Sequence, residues 1–101
     1  MKVVINRCYG GFGIPEKLHK HFDENELYEY EYPNTMEGRR MRTDEALIEF
    51  IETYGDDGAY EFGYSELWVV EIPDNATDWI VTTYDGYETL HWVVDGKIYS
   101  Y

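Results

Sequence analysis

Two Asp-Gly dipeptides, Asp85-Gly86 and Asp95-Gly96, cut the last quarter of the chain into three strand-sized pieces. A two-residue Asp-Gly turn needs positive φ at both positions and follows the twist of an antiparallel pair. It therefore marks a hairpin wherever apolar runs flank it. Here they do: Trp79 to Tyr84, Tyr87 to Val94 and Lys97 to Tyr101 read as consecutive strands. Leu67-Trp68-Val69-Val70-Glu71-Ile72 reads as another, stopped by Pro73-Asp74, and Lys2 to Cys8 as a further one around Val3-Val4-Ile5. The pattern predicts an antiparallel sheet of about five or six strands.

Helical signals are fewer. Thr43 fits an N-cap, Asp44 and Glu45 suit the first turn, and Gly55 supplies a stop. Leu47, Phe50, Ile51 and Tyr54 recur at three- and four-residue spacing between them. A helix over Asp44 to Tyr54 follows. A shorter one is expected from Glu16 to Phe22 behind Pro15. Strict alternation in Leu27 to Tyr32 sets Tyr28, Tyr30 and Tyr32 against Glu29 and Glu31 and predicts a strand. Thr35 to Arg42 reads as a loop carrying Arg39, Arg40 and Arg42. The whole is an α+β fold: one domain over 1–101, with two helices on one face of the sheet.

Charge limits the partners. Twenty-one acids against eight bases leave a net charge of -13, so direct nucleic-acid binding and anionic membranes are disfavoured by repulsion. No stretch approaches the roughly 20 apolar residues of a membrane-spanning helix, and the opening Met1 to Arg7 turns polar too early for a signal peptide. A single cysteine, Cys8, allows no intrachain disulfide and no multi-cysteine zinc site. A cytoplasmic protein is the simplest expectation.

Three segments, Ile5-Asn6-Arg7-Cys8-Tyr9-Gly10-Gly11-Phe12, Val70-Glu71-Ile72-Pro73-Asp74, and Trp79 followed by Tyr84-Asp85-Gly86-Tyr87-Glu88, together resemble a group of short bacteriophage and prophage proteins. They span about a quarter of the chain. The chain departs from the group's pattern in Gly13-Ile14-Pro15, where a Leu-Ser pair would open the helix, and in its Ser100-Tyr101 close. The resemblance implies a phage accessory gene acting inside a bacterial host. It implies no catalytic residue, because the group carries no assigned activity.

Two surfaces stand out as candidate sites. Glu45, Glu49 and Glu52 fall within about 60° of one another on a helical wheel, with no lysine between them. Each like-charged pair costs the helix about 0.2–0.5 kcal/mol. Their axial spacing of about 4.5–6 Å is close to that of phosphates along a strand. Glu24, Glu26, Glu29 and Glu31 add more acids, and Tyr28 and Tyr30 add contact area suited to an interface. A plainly solvated surface is the alternative, and core packing is expected to claim more than half of the eleven tyrosines.

The second candidate is the turn at Gly10, Gly11 and Gly13. With Arg39 and Arg40 it offers an anion cradle for a small ligand or nucleotide signal. Its spacing fits neither dinucleotide-binding nor P-loop patterns, and tight packing is the alternative reason for the glycines. His19 and His21 are two apart, poor spacing for a helical metal site, and no catalytic set emerges around His91, Ser65 or Ser100. The sequence implies no metal, no cofactor and no enzyme. The leading expectation is a phage-encoded inhibitor whose acids imitate nucleic acid against a basic groove of a host defence or regulatory protein. A small-ligand sequestering protein or a phage structural component are the other readings, and the oligomeric state is open.

Overall fold

Alternation along the strands sorts their side chains into two separate cores, and the architecture follows from that division. The computed structural model describes residues 1–29 and 32–101. Strands β1 (Lys2–Asn6), β2 (Ala59–Phe62) and β3 (Ser65–Glu71) form one antiparallel sheet in the order β1-β3-β2. Val4 lies opposite Val69, and Tyr60 opposite Leu67. Strands β4 (Asp78–Tyr84), β5 (Tyr87–Val94) and β6 (Lys97–Ser100) form a second antiparallel sheet, with Val81 opposite Leu90 and Trp92 opposite Tyr99. Both Asp-Gly turns behave as their residues require: φ is 49° and 88° at Asp85 and Gly86, and 51° and 76° at Asp95 and Gly96.

Val3, Ile5, Val70 and Ile72 pack against Trp79, Val81 and Leu90 of the second sheet. The residues in alternate phase, Val4 and Leu67, pack instead under Phe12, Phe22, Leu27, Met41, Leu47 and Ile51. The first sheet is thus a middle layer between helices and a second sheet. The helical layer holds a 3-10 turn over Glu16–Leu18, α1 (His19–Glu24), α2 (Met36–Arg42) and α3 (Glu45–Tyr54). Leu47 and Ile51 of α3 are fully buried, each worth about 1.5–3 kcal/mol relative to exposure.

The α+β class, the antiparallel pairing and a total of six strands agree with the sequence reading. The strands divide into two three-stranded sheets instead of one, β2 was not expected as a strand, and further details differ. The expected loop Thr35 to Arg42 contains α2: Thr35 caps it, its Oγ1 accepting from the Gly38 N–H at 3.0 Å. The helical layer therefore has more helices than the two expected. The cap of α3 is Asp44, whose Oδ2 accepts from the Leu47 N–H, while the Thr43 hydroxyl donates back to the Arg39 carbonyl. Within the expected strand Leu27 to Tyr32, no described residue is in a strand. The N–H groups of Tyr28 and Glu29 both donate to Glu37 Oε2, so a side chain takes the place of a neighbouring strand.

One polar network crosses the layers. Buried Arg42 meets buried Glu88, and Glu88 Oε1 also accepts from the Asn6 N–H at 2.8 Å. Asn6 is itself fully buried. Its amide donates to the Cys8 and Gly86 carbonyls and accepts from the Glu66 N–H. At the far edge of the second sheet, the Asn34 side chain both donates to the Val81 carbonyl and accepts from its N–H, each at 2.8 Å.

Candidate functional site

The acidic candidates belong to the helical layer. Burial of Leu47 and Ile51 turns the opposite side of α3 outward, and Glu45, Glu49 and Glu52 are all exposed there. Glu45 and Glu49 have no ion-pair partner among the described residues. Glu52 differs: Lys2 Nζ reaches its Oε2 at 2.8 Å. The Glu52 hydrogen bond, and then its charge, hold the Lys2 ammonium pKa above its ordinary value.

Helix α1 is tied to the start of α3 through His21 Nε2, which lies 3.0 and 3.1 Å from the two Asp44 carboxylate oxygens. Glu24 at the end of α1 is exposed and loosely paired with Lys20 at 3.8 Å. Glu26 turns the chain out of α1 with φ of 55° and is exposed. Glu29 accepts from the Thr35 hydroxyl at 3.0 Å and so belongs to the entry of α2. Tyr28 is exposed, and its hydroxyl donates to the Asp23 carbonyl. Tyr30 and Glu31 lie outside the described residues. The helices α1 and α3 are therefore joined, whereas Tyr28 and Glu29 sit on the segment leading into α2.

The tyrosines depart from expectation. Tyr9, Tyr28, Tyr32, Tyr54, Tyr64, Tyr84, Tyr99 and Tyr101 are exposed, and no described tyrosine is in the buried core. Aliphatic residues with Phe12, Phe22, Met41 and Trp79 fill that role.

The Gly-rich turn is wedged between neighbours. A Cβ on Gly10 would lie 2.2 Å from the Tyr64 carbonyl oxygen, and Ser65 Oγ donates to the Gly11 carbonyl at 2.7 Å. The element that follows is a three-residue 3-10 turn, too short to aim a helix dipole at an anion. Arg39 is elsewhere, 3.5 Å from Asp78 and stacked over Trp79 at 4.5 Å. It lines a cleft with Ile72, Pro73 and Thr77 to which the glycines do not contribute. Arg40 is exposed on α2. The arrangement does not bring Arg39 to the glycines.

His91 finds hydroxyls on both sides: Nε2 is 2.9 Å from Thr82 Oγ1, and Nδ1 is 2.6 Å from Ser100 Oγ. This row runs across three strands. Among the described residues, no group of three or more His, Cys, Asp or Glu is arranged to hold a metal ion, and no helix is long and apolar enough to cross a membrane. No protein-family model, curated protein or solved structure matches the chain.

Two features escaped the sequence reading. The Arg42–Glu88 pair had a signal: Glu88 shares its phase along β5 with Leu90, and a carboxylate on a core-facing row demands a buried cation. The second is a cleft at Arg7, which shares its phase along the chain with Val3 and Ile5 and so follows them toward the second sheet.

Proposed function

We propose that this is a phage-encoded acidic binding protein, acting in the host cytoplasm, which inhibits a host nucleic-acid-binding protein by occupying its basic groove. The observation that carries the reading is the outer side of α3. Glu45 and Glu49 project from a helix locked from behind by fully buried Leu47 and Ile51, with no cation paired to either among the described residues. Carboxylates one turn apart on a rigid support present charge at phosphate-like intervals, without the entropy of two floppy partners. Glu24 and Glu26 add exposed acids at the end of α1 and the turn after it, and the His21–Asp44 contact ties that helix to α3. The exposed tyrosines suit protein contact, since tyrosine offers large area at low conformational cost.

The test is affinity capture from bacterial lysate at low and high salt, with and without competing DNA. The expected result is a nucleic-acid-binding protein that elutes with salt and with excess DNA, because charge-led association is screened within a Debye length. The triple substitution Glu45→Gln, Glu49→Gln, Glu52→Gln is expected to weaken that capture while leaving the circular dichroism spectrum unchanged. Undiminished affinity in the triple variant would overturn the proposal.

A further inference from the structure

Where the two sheets part, β1 and β3 continue on one side and the ends of β5 and β6 on the other. The gap between them is a cleft of about 440 Å³ lined by Arg7, Glu66, Trp68, Tyr87 and Tyr101, within the size range of small-molecule sites. Its chemistry is unlike that of the acidic helices. The Arg7 guanidinium lies between two tyrosine rings, 5.0 Å from the Tyr87 centroid and 4.9 Å from that of Tyr101. Its one hydrogen-bond partner in the described structure is the Tyr87 hydroxyl, at 3.1 Å. In a chain of net charge -13, this arginine is held by aromatic faces and has no carboxylate paired to it among the described residues.

Two further groups are unmatched. The Trp68 indole N–H is shielded from water and has no hydrogen-bond acceptor, a state that costs about 1–3 kcal/mol. The Glu66 carboxylate has no ion-pair or side-chain hydrogen-bond partner among the described residues, although its backbone is fixed by Asn6 and Arg7. The cleft thus offers a fixed cation, an unused anionic acceptor and the rings of Trp68 and Tyr101, whose centroids are 6.5 Å apart at an interplanar angle of 50°.

We propose that this cleft binds a guanine mononucleotide. A flat ring stacks on the face of Trp68. The adjacent N1–H and N2–H donors of guanine suit the two oxygens of Glu66, and a phosphate suits the planar fork of Arg7. Adenine lacks the paired donors, so it is the poorer ligand. The site is remote from the outer side of α3 in its residues and its chemistry, and it stands whether or not that helix imitates nucleic acid.

The experiment is titration of the full chain with guanosine monophosphate, adenosine monophosphate and guanosine, followed by calorimetry and by the Trp68 indole resonance in a nitrogen–proton correlation spectrum. The expected result is saturable binding of guanosine monophosphate with an upfield ring-current shift of that one indole signal. Adenosine monophosphate and guanosine are each expected to bind about tenfold more weakly. Glu66→Gln is expected to erase the preference for guanine over adenine, and Arg7→Gln the preference for nucleotide over nucleoside. Glu66→Gln keeps the backbone pairing, so it decides the matter even where Arg7→Gln impairs folding. An unmoved Trp68 signal at millimolar guanosine monophosphate, or binding with the same preferences in a folded Glu66→Gln protein, would overturn the proposal.

Discussion

Arg42, the last residue of α2, and Glu88, in β5, meet in the interior through two charge-assisted hydrogen bonds of 2.5 and 2.8 Å. The pair is sealed on one side by Phe12, whose ring centre is 3.7 Å from the guanidinium carbon. It is steadied on the other by the Asn6 N–H and the Val4 carbonyl. Two ions withdrawn from water cost several kcal/mol each, which their mutual attraction offsets only with good geometry and further hydrogen bonds. Here both conditions hold.

Breaking that pair from one side is therefore expected to be severe. Glu88→Gln or Arg42→Met should each lose about 3–5 kcal/mol of unfolding free energy in urea, because each strands an uncompensated group in the core. The double change Arg42→Met with Glu88→Leu should recover part of the loss. A single-variant cost below about 1 kcal/mol would show that the interior admits water at this point.

Backbone proximity at Gly38 gives a sharper structural test. A Cβ there would stand 1.9 Å from the Tyr32 carbonyl oxygen, with Pro33 directly behind it. Gly38→Ala removes a helix-interior glycine, a change worth about 1 kcal/mol in favour of an isolated helix. We expect the opposite sign here: a lowered melting temperature, from displacement of the Tyr32–Pro33 segment. A rise in melting temperature would mean that the segment moves away freely.

The like-charged outer side of α3 should be improvable. Glu49 lies one turn from Glu45 on one side and from Glu52 on the other. Glu49→Lys turns two repulsions into attractions, each worth about 0.2–0.5 kcal/mol. Thermal unfolding at low salt should rise slightly, and the gain should shrink as salt is added. A destabilised variant would mean that Glu49 has a structural partner.

Lys2 and Glu52 provide a pH test. The hydrogen bond and charge of Glu52 raise the Lys2 pKa, so the pair's contribution is fully present below the unfolded-state lysine pKa. It is lost as pH rises through the folded value. Following the Lys2 side-chain carbon shift, the wild-type chain should titrate at higher pH than Glu52→Gln. Coincident curves would exclude the contact in solution.

Elements that carry their own local signal were legible in the sequence: the Asp85-Gly86 and Asp95-Gly96 hairpins, β1 and α3. What escaped was decided by distant partners. Tyr28 and Glu29 alternate as a strand would, yet a strand exists only beside another, and Glu37 Oε2 supplies their acceptor instead. Helix α2 was hidden by Gly38, whose absent side chain serves contact with Tyr32 and not local propensity. For the candidate site, the spacing and exposure of Glu45 and Glu49 could be read from periodicity, whereas the Lys2 contact of Glu52 joins residues 50 apart and could not. Nor could the cleft at Arg7, because it exists only once two sheets are stacked.

The amide of Asn34 occupies the outer edge of β4 with the donor and acceptor that another strand would have brought. Sheets of separate molecules join along such edges, and repeated joining needs two open sides. With Val81 at the middle of β4 already paired to its own chain, an incoming strand meets an interrupted ladder there. Lateral pairing through this sheet favours β6, where all four residues are exposed. Growth favoured from a single side tends to stop at a pair, so one amide in the right place lowers the tendency of this sheet to seed a fibre.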